Sequence, residues 1–305
     1  MGVLCQILID RPFDGVHRAG GPVTGVVKYA LDQPKEYKDI ILALRGESWC
    51  HWSESDTDNE TYNYTGKESH VCEEVSLLNP THRTRTLPAG AYEHRFLFTL
   101  PKIIPPSFKT RTGHVCYKIL LEFKKDAVFN ATKSFKAEIT VRNHLDATLL
   151  DTPTVFGADH KLFKPMSFGK QEVYLKGEIA TPYIIPGDRA HLKLMITNDS
   201  TVHVKCLRAE LVRCTIYTAD GGRTANREKK IKNCMVETAE VRPRSKAEMA
   251  VTVPTLELER TVQHSKVISN EYKILVTAVL PVPHRNVTVM VPILLGDRAC
   301  SRHER

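Results

Sequence analysis

Apolar and polar residues alternate along most of the chain. Within 115–124 every second residue is apolar, and the residues between them include lysine and glutamate. The same period of two recurs over 95–100, 135–142, 192–197 and 272–280. A strand with one buried face shows this alternation, because successive side chains point to opposite faces. The pattern therefore predicts a protein built from β-strands.

Turns rich in glycine and proline separate these segments. Gly90 and Gly187 stand in such turns, where we expect the positive φ that glycine adopts most easily. The alternation lapses between about Asn143 and Gly169, which is typical of a connection between domains. Each half must bury its apolar faces by closing as two packed sheets. We predict an all-β fold of two tandem immunoglobulin-like β-sandwiches, with domains over 1–143 and 169–297, a connection over 144–168 and a short tail over 298–305.

Composition narrows the class of protein. The 305 residues suit about two domains, and 42% hydrophobic with 26% charged residues is globular composition, not that of a disordered chain. No apolar run approaches the length of a membrane-spanning helix. The net charge of +8 favours acidic partners.

Two features bear on the cellular compartment and point in opposite directions. Eight scattered cysteines without a C-x-x-C pair, and an N-terminus without a basic region or cleavage site, favour a reduced, cytosolic protein. Five N-x-[ST] sequons leave open an exported glycoprotein of immunoglobulin-like sandwiches, although without export they are inert. The sequons are at Asn59, Asn63, Asn130, Asn198 and Asn286.

The first half contains a run of motif residues. Residues 87–101 read Leu-Pro-Ala-Gly-Ala-Tyr-Glu-His-Arg-Phe-Leu-Phe-Thr-Leu-Pro, and Ile-Pro-Pro-Ser-Phe follows at 104–108. These motifs resemble the arrestin N-domain. Upstream, Leu-Arg-Gly-Glu-Ser-Trp at 44–49 and Trp52 resemble the matching strand of the α-arrestins, the arrestin domain-containing proteins.

The second half resembles the arrestin C-domain. Gly-Glu-Ile at 177–179, Tyr-Ile-Ile-Pro-Gly-Asp at 183–188 and Pro-Ile-Leu-Leu-Gly at 292–296 occur in family order. The resemblance extends from about Leu4 to Gly296 and is closest to the α-arrestins. It implies the arrestin fold, but its motif residues mark a scaffold and supply no chemical site.

The resemblance implies a non-enzymatic, cytosolic adaptor, peripheral at the plasma membrane or endosomes. Its expected partners are cytoplasmic tails of membrane receptors or transporters, in endocytic trafficking and ubiquitin-linked turnover. A coat or retromer-type structural subunit is the alternative within the same fold.

α-Arrestins usually recruit HECT-type ubiquitin ligases through PPxY motifs in a C-terminal tail. This sequence has no PPxY motif and ends at Arg305, so only indirect recruitment through other arrestin-domain proteins is expected. A truncated chain, a tailless paralogue and a subunit that dimerises with a tailed relative all stay open.

Two single residues are candidates by resemblance. Receptor-desensitising arrestins place paired basic residues near the end of the first strand, where they bind phosphate. This chain has only Arg11 there, between Asp10 and Pro12, so Arg11 is a weak phosphate candidate. One family branch binds thioredoxin through a C-domain cysteine. Cys234 lies in a comparable region near Lys230 and Lys232, which would lower its pKa, and an ordinary thiol is the alternative.

The strongest charge feature lies between 223 and 246, where eight basic residues accompany three acidic ones. It is a solvated hairpin tip or a surface for an anionic membrane or a phosphorylated tail. Few aromatic residues interleave with the bases, so nucleic acid is not an expected partner. The basic residues are Arg223, Arg227, Lys229, Lys230, Lys232, Arg242, Arg244 and Lys246.

No enzymatic, metal or cofactor site is predicted. The sequence has no nucleophile elbow, zinc-protease motif or phosphate-binding loop. Cys50, His51, His70 and Cys72 could meet across a hairpin. Because Cys50 and His51 point to opposite faces while His70 and Cys72 are expected to share one, at most three would converge, and structural zinc needs four ligands.

Overall fold

The computed structural model describes residues 3–78, 84–125, 132–146, 152–162 and 171–298. Every regular element in these ranges is a β-strand, which confirms the predicted all-β class and the tandem sandwiches. Within the described ranges no helix has the length and apolarity to cross a membrane.

The first compact unit contains residues 1–143 together with the segments 217–224 and 262–268. It has a three-stranded sheet in the order β1-β3-β8 and a larger sheet in the order β11-β10-β5-β6, with β9 paired to β10. The sheets face each other, since the Tyr29 ring of β3 meets the Phe123 ring of β10 edge-on at 5.2 Å between centroids. The strands are β1 (Val3–Ile9), β2 (His17–Arg18), β3 (Pro22–Leu31), β4 (Lys35–Tyr37), β5 (Asp39–Ser55), β6 (Thr61–Ser76), β7 (Arg85–Leu87), β8 (Gly90–Thr99), β9 (Phe108–Lys109), β10 (Gly113–Lys124), β11 (Lys133–Ile139) and β12 (Val141–Arg142).

The second unit contains residues 144–216, 225–261 and 269–305. Its sheets have the orders β14-β15-β17-β20 and β16-β22-β21-β18-β19, and both contribute to one hydrophobic core. The strands from His144 onward are β13 (His144–Leu145), β14 (Thr154–Lys161), β15 (Glu172–Ile179), β16 (Tyr183–Ile184), β17 (Arg189–Asn198), β18 (Cys206–Thr218), β19 (Thr224–Glu237), β20 (Ser245–Pro254), β21 (Ile268–Val279), β22 (Val287–Leu295) and β23 (Asp297–Arg298).

The alternation in sequence corresponds to alternate burial in both units. In β10 the odd-numbered residues from Val115 to Phe123 are buried, and in β17 Leu194 is buried while its neighbour Met195 is 48% exposed. Gly90 and Gly187 have φ angles of +155° and +98°, as their turns require. Leu120 departs from the pattern because it is also buried, in a small cluster with Ile41 and Ala43.

A β-bulge changes the predicted placement of His70 and Cys72. The pairing of β5 with β6 shifts between Gly46 and Glu47, so His70 is an extra residue on β6. The His70 side chain is only 5% exposed, whereas Cys72 is exposed. The two residues therefore do not share a face, because the period of two is interrupted between them.

The stretch expected to connect the domains contains a strand. β14 is an edge strand of the second unit and pairs with β15, so this sandwich begins before residue 169. All residues of β14 are exposed or half-buried, which explains why its alternation is weak in sequence. Residues 163–170, and nearly all of the tail predicted over 298–305, lie outside the described part of the chain.

Gly25 provides a test of packing in the first unit. A Cβ atom at Gly25 would overlap the Leu8 carbonyl oxygen of β1 and lie 2.7 Å from the Phe96 ring. We expect Gly25→Ala to lower the free energy of unfolding by about 1–3 kcal/mol in urea titrations. Gly221→Ala is the control, since its Cβ would meet nothing within 4 Å. Equal stability of the two variants would contradict this close approach.

Candidate functional site

A groove of about 430 Å³ lies between β1 and β11 in the first unit. Residues 7–9 form one wall and residues 137–140 the other, with Arg11, Gly15 and His17 completing the lining. We call it the β1–β11 groove. Each wall is the terminal strand of a different sheet of the sandwich.

Both walls direct backbone hydrogen-bonding groups into the groove. Asp10 N donates to Thr24 O at 2.9 Å. The backbone N–H and C=O groups of the even-numbered residues of β1 therefore bond to β3, and those of the odd-numbered residues point away from β3. Consistent with this, Lys133 Nζ reaches from β11 to donate to Val3 O at 2.9 Å. On the other wall His17 N donates to Thr140 O, so the carbonyl of Thr140 points away from β10. The backbone groups of Glu138, two residues earlier, point to the same side.

Arg11 and His17 give the groove its polar character. Arg11 is exposed at the rim, and its neighbour Asp10 accepts a hydrogen bond from Thr24 Oγ1 at 2.8 Å. His17 is 4% exposed, and the Nδ1 atom of its ring is buried without a hydrogen-bond partner. Burial lowers the pKa of His17 despite a hydrogen bond to the Pro22 carbonyl and the nearby Asp14 carboxylate. The ring is therefore neutral at neutral pH, and Arg11 supplies the positive charge.

All eight residues of the basic stretch are exposed, but they belong to different surroundings. Arg223 lies in the first unit, where it pairs with Glu54 at 2.8 Å and covers the Tyr64 ring. The other seven lie in the second unit. Among these Lys230 pairs with Glu210 at 2.8 Å. The eight residues that are close in sequence are therefore not one uniform patch.

The basic residues of the second unit follow two edge strands. Arg227, Lys229, Lys230 and Lys232 lie on β19, the last strand of one sheet. Arg242 and Arg244 precede β20, the last strand of the other sheet, and Lys246 lies on β20. Lysine on an edge strand also prevents pairing with a second chain, so part of this charge protects the edges.

Cys234 is not positioned as a reactive thiol. Asn233 has a φ of +64°, and this irregularity turns the next residue toward the core, where Cys234 is 0% exposed. Burial raises the pKa of Cys234. The expectation that Lys230 and Lys232 lower this pKa is wrong, because the thiol is buried while Lys230 bonds to Glu210 and Lys232 is exposed.

The structure does not bring the four zinc-ligand candidates together. Cys50 is buried with its Sγ near Thr218 O, whereas His51 is exposed and bonds to Thr65 Oγ1. The bulge separates His70 from Cys72, as described above. Within the described part of the chain, no three or more His, Cys, Asp or Glu side chains are grouped to hold a metal ion.

One pair has the distance of a nucleophile and its base. Ser48 Oγ lies 2.6 Å from His70 Nε2, and the Glu68 carboxylate is 3.9 Å from the same nitrogen. A catalytic triad places its carboxylate on the other ring nitrogen. Ser48 is also 0% exposed, so substrate cannot reach it. The geometry does not support hydrolysis.

Sequence reasoning found Arg11 but not the groove beside it. The alternation places Ile7 and Ile9 in one strand and Ile139 in another, but it does not show which strands pair. The groove depends on two strands from opposite ends of the first unit being left without a second neighbour. No short motif marks this arrangement.

Thiol labelling tests the placement of the cysteines. At pH 8 we expect a maleimide to modify the exposed Cys72 rapidly and to leave the buried Cys234 unmodified until urea unfolds the chain. Peptide mapping by mass spectrometry identifies each site, and Cys72→Ser should remove the corresponding fast modification. Rapid labelling of Cys234 in the folded chain would contradict its burial. Cys300 lies outside the described residues.

Comparisons with known proteins identify the family. The model for the arrestin (or S-antigen) N-terminal domain matches residues 5–148, and that for the arrestin C-terminal domain matches residues 170–300. The chain is 25% identical to arrestin domain-containing protein 17 of Caenorhabditis elegans, over 96% of this chain and 70% of that protein.

Two mammalian relatives give the same result. Arrestin domain-containing protein 5 is 21% identical in Bos taurus, over 97% of this chain and 92% of the relative, and 21% identical in Homo sapiens, over 97% and 88%. The chain therefore belongs to the arrestin family, as an arrestin domain-containing protein or α-arrestin, and this membership implies an adaptor or scaffold role in trafficking.

Proposed function

We propose that this chain is a cytosolic adaptor that captures cytoplasmic tails of membrane receptors or transporters as an added strand in the β1–β11 groove. The observation that carries the proposal is the pair of terminal strands whose backbone groups, those of Ile7, Ile9 and Glu138, face one groove with Arg11 at its rim. The adaptor acts at the plasma membrane or endosomes. Its cargo enters endocytic trafficking and ubiquitin-linked turnover.

Strand addition matches the chemistry of the groove. Cys5, Ile7 and Ile9 offer backbone donors and acceptors to an extended peptide, which gains affinity from main-chain hydrogen bonds. Alternate residues of the peptide would pack on the apolar side chains of Ile7, Ile9 and Ile139. A bound segment of about five to seven residues fits the length of β1.

Arg11 adds a preference for negative charge. A guanidinium donates two parallel hydrogen bonds to a carboxylate or phosphate. With one such group at the rim, an acidic or phosphorylated residue at one end of the peptide would bind more tightly than a neutral one.

An array of receptor and transporter tail peptides, each with and without phosphoserine, tests this proposal with the full chain. We expect a subset to bind, and we expect Arg11→Glu to weaken binding of the acidic and phosphorylated members about tenfold, or about 1.4 kcal/mol. Arg111→Glu is the matched control because Arg111 is exposed on the β9–β10 turn, outside the groove. Equal effects of the two variants, or no tail above background, would reject the groove as the cargo site.

A second contact, with an anionic membrane, is favoured by the exposed bases along β19 and β20. A lysine or arginine near an anionic surface contributes about 1 kcal/mol. Lys229 and Lys232 are better candidates than Arg223 and Lys230, whose charges are paired with Glu54 and Glu210.

Liposome sedimentation measures this second contact. We expect Lys229→Glu with Lys232→Glu to lower the fraction bound to phosphatidylserine vesicles about tenfold or more. The control is Lys109→Glu with Arg111→Glu, which makes the same change of charge on exposed residues of the first unit. If both double variants lose binding equally, net charge rather than this surface explains it.

The rival assignment as an exported glycoprotein loses support at one sequon. Asn198 is 0% exposed, its Nδ2 donates to Val202 O and Arg242 O, and its Oδ1 accepts from Ser200. A glycan there is incompatible with the fold. Asn130 lies outside the described residues. A coat or retromer-type subunit would use the same edges for permanent partners, so reversible binding of tails separates the two assignments.

Indirect recruitment of a HECT-type ligase, through other arrestin-domain proteins, remains part of the proposal. The printed sequence contains no PPxY motif.

A further inference from the structure

The segment 262–268 is held in the first unit by a small cluster of polar side chains on β5 and β6. Ser265 Oγ lies 3.0 Å from both Ser48 Oγ and Glu68 Oε2, and Lys266 N donates to Glu68 Oε2 at 2.7 Å. Ser265 Oγ also accepts hydrogen bonds from Val267 N and Ile268 N, each at 3.2 Å. Both lone pairs of this hydroxyl are therefore occupied by the backbone of its own segment.

His70 ends this chain of hydroxyl groups. Its Nε2 lies 2.6 Å from Ser48 Oγ. In the neutral tautomer that carries its proton on Nδ1, Nε2 accepts the proton of Ser48, and Ser265 donates to Glu68 or to Ser48. Ser48, Ser265 and Nε2 of His70 then each have a partner, and Ser48 is 0% exposed.

A proton on His70 reverses the direction of this relay. Nε2 becomes a donor, so Ser48 must accept from it and direct its own proton to Ser265 Oγ, the next oxygen within reach. Ser265 then faces three donors with two lone pairs, so the hydrogen bond from Val267 N or Ile268 N is lost. A buried N–H group without a partner is unfavourable, and the segment is held less firmly.

We propose that Ser48, His70 and Ser265 form an acid-sensitive latch that holds the segment 262–268 on the β5–β6 hairpin at neutral pH and loosens it when His70 gains a proton. The latch is a regulatory device separate from the β1–β11 groove. It stands or falls independently of cargo binding.

The charged groups around His70 agree with this direction. Glu68 on the same strand favours the protonated ring, but burial is the larger effect and lowers the pKa of His70. Lys266 is a basic residue of the segment, and its backbone N–H donates to Glu68. Tyr117 of β10 lies beneath the ring with its hydroxyl donating to Pro105 O, and burial raises its pKa, so it stays neutral. His264 is a second histidine of the segment and needs its own control.

The sign of the pH effect follows from linkage. The released state binds a proton on His70 more readily than the latched state, so latching is favoured above the ordinary histidine pKa of about 6.5 and weakens as pH falls below it. Amide exchange in the full chain at pH 7.5 and pH 5.5, expressed as protection factors, measures this. We expect protection across 265–268 to fall about fivefold at the lower pH, equivalent to one lost hydrogen bond.

Variants separate the effect of the His70 proton from other effects of low pH on amide protection. In His70→Gln the side-chain carbonyl accepts from Ser48 at any pH, so protection of the segment should become independent of pH. His51→Gln and His264→Gln are controls, since His51 is an exposed histidine of the same hairpin, and both should keep the pH dependence. Ser265→Ala should lower protection equally at both pH values.

The unmodified chain provides a test that does not require a stable variant. Nitrogen-15 spectra of the histidine rings report which nitrogen carries the proton, and we expect Nε2 of His70 to be unprotonated at pH 7.5. Protonated Nε2 at that pH, or unchanged protection of 265–268 at pH 5.5, would overturn the latch. Loss of the pH effect in His264→Gln alone would assign that effect to His264 and would also overturn the latch.

Discussion

The pairing of backbone groups is the constraint on which the rest of this structure depends. Every N–H and C=O group in a sandwich must find a partner, and the ladder satisfies this everywhere except at the terminal strands of each sheet. The chain treats its terminal strands differently. β19 and β20 carry exposed lysine and arginine, which oppose pairing, and β11 carries exposed Lys133 and Lys136, whereas β1 has no charged residue. Among these four terminal strands, β1 is therefore the edge without charged side chains.

The close packing of neighbouring strands also explains why two positions within strands are glycine. A side chain at Gly25 would overlap β1, and one at Gly46 would meet the Tyr117 ring of β10. Both glycines permit large aromatic residues to fill the space between the sheets. The close approach of β1 to Gly25 therefore places this groove wall, which is a strand, directly against β3.

Sequence patterns predict the structural features that depend on burial of apolar side chains. They miss the features that depend on which strands pair. The alternation around Tyr117, Leu194 and Ile274 is visible because each inward residue is apolar and each is fully or almost fully buried. The same logic fails at β14, where no residue is fully buried, and at the bulge beside Gly46, where one added residue moves His70 inward. Arg11 could be selected from the sequence, but its groove could not, because hydrogen-bond pairing between distant strands has no local signature.

Family membership and the proposed binding of cargo depend on different residues. At 21–25% identity the arrestin sandwiches persist because an inward position requires only an apolar side chain of suitable size, which several residue types supply. A peptide bound along β1 would meet main-chain atoms, and these are present whatever the side chains are. Under the proposed function, discrimination between cargoes would come from the few side chains that line the groove, above all Arg11 at its rim and the buried His17. Proteins that share this fold would then differ in partners through changes at such positions.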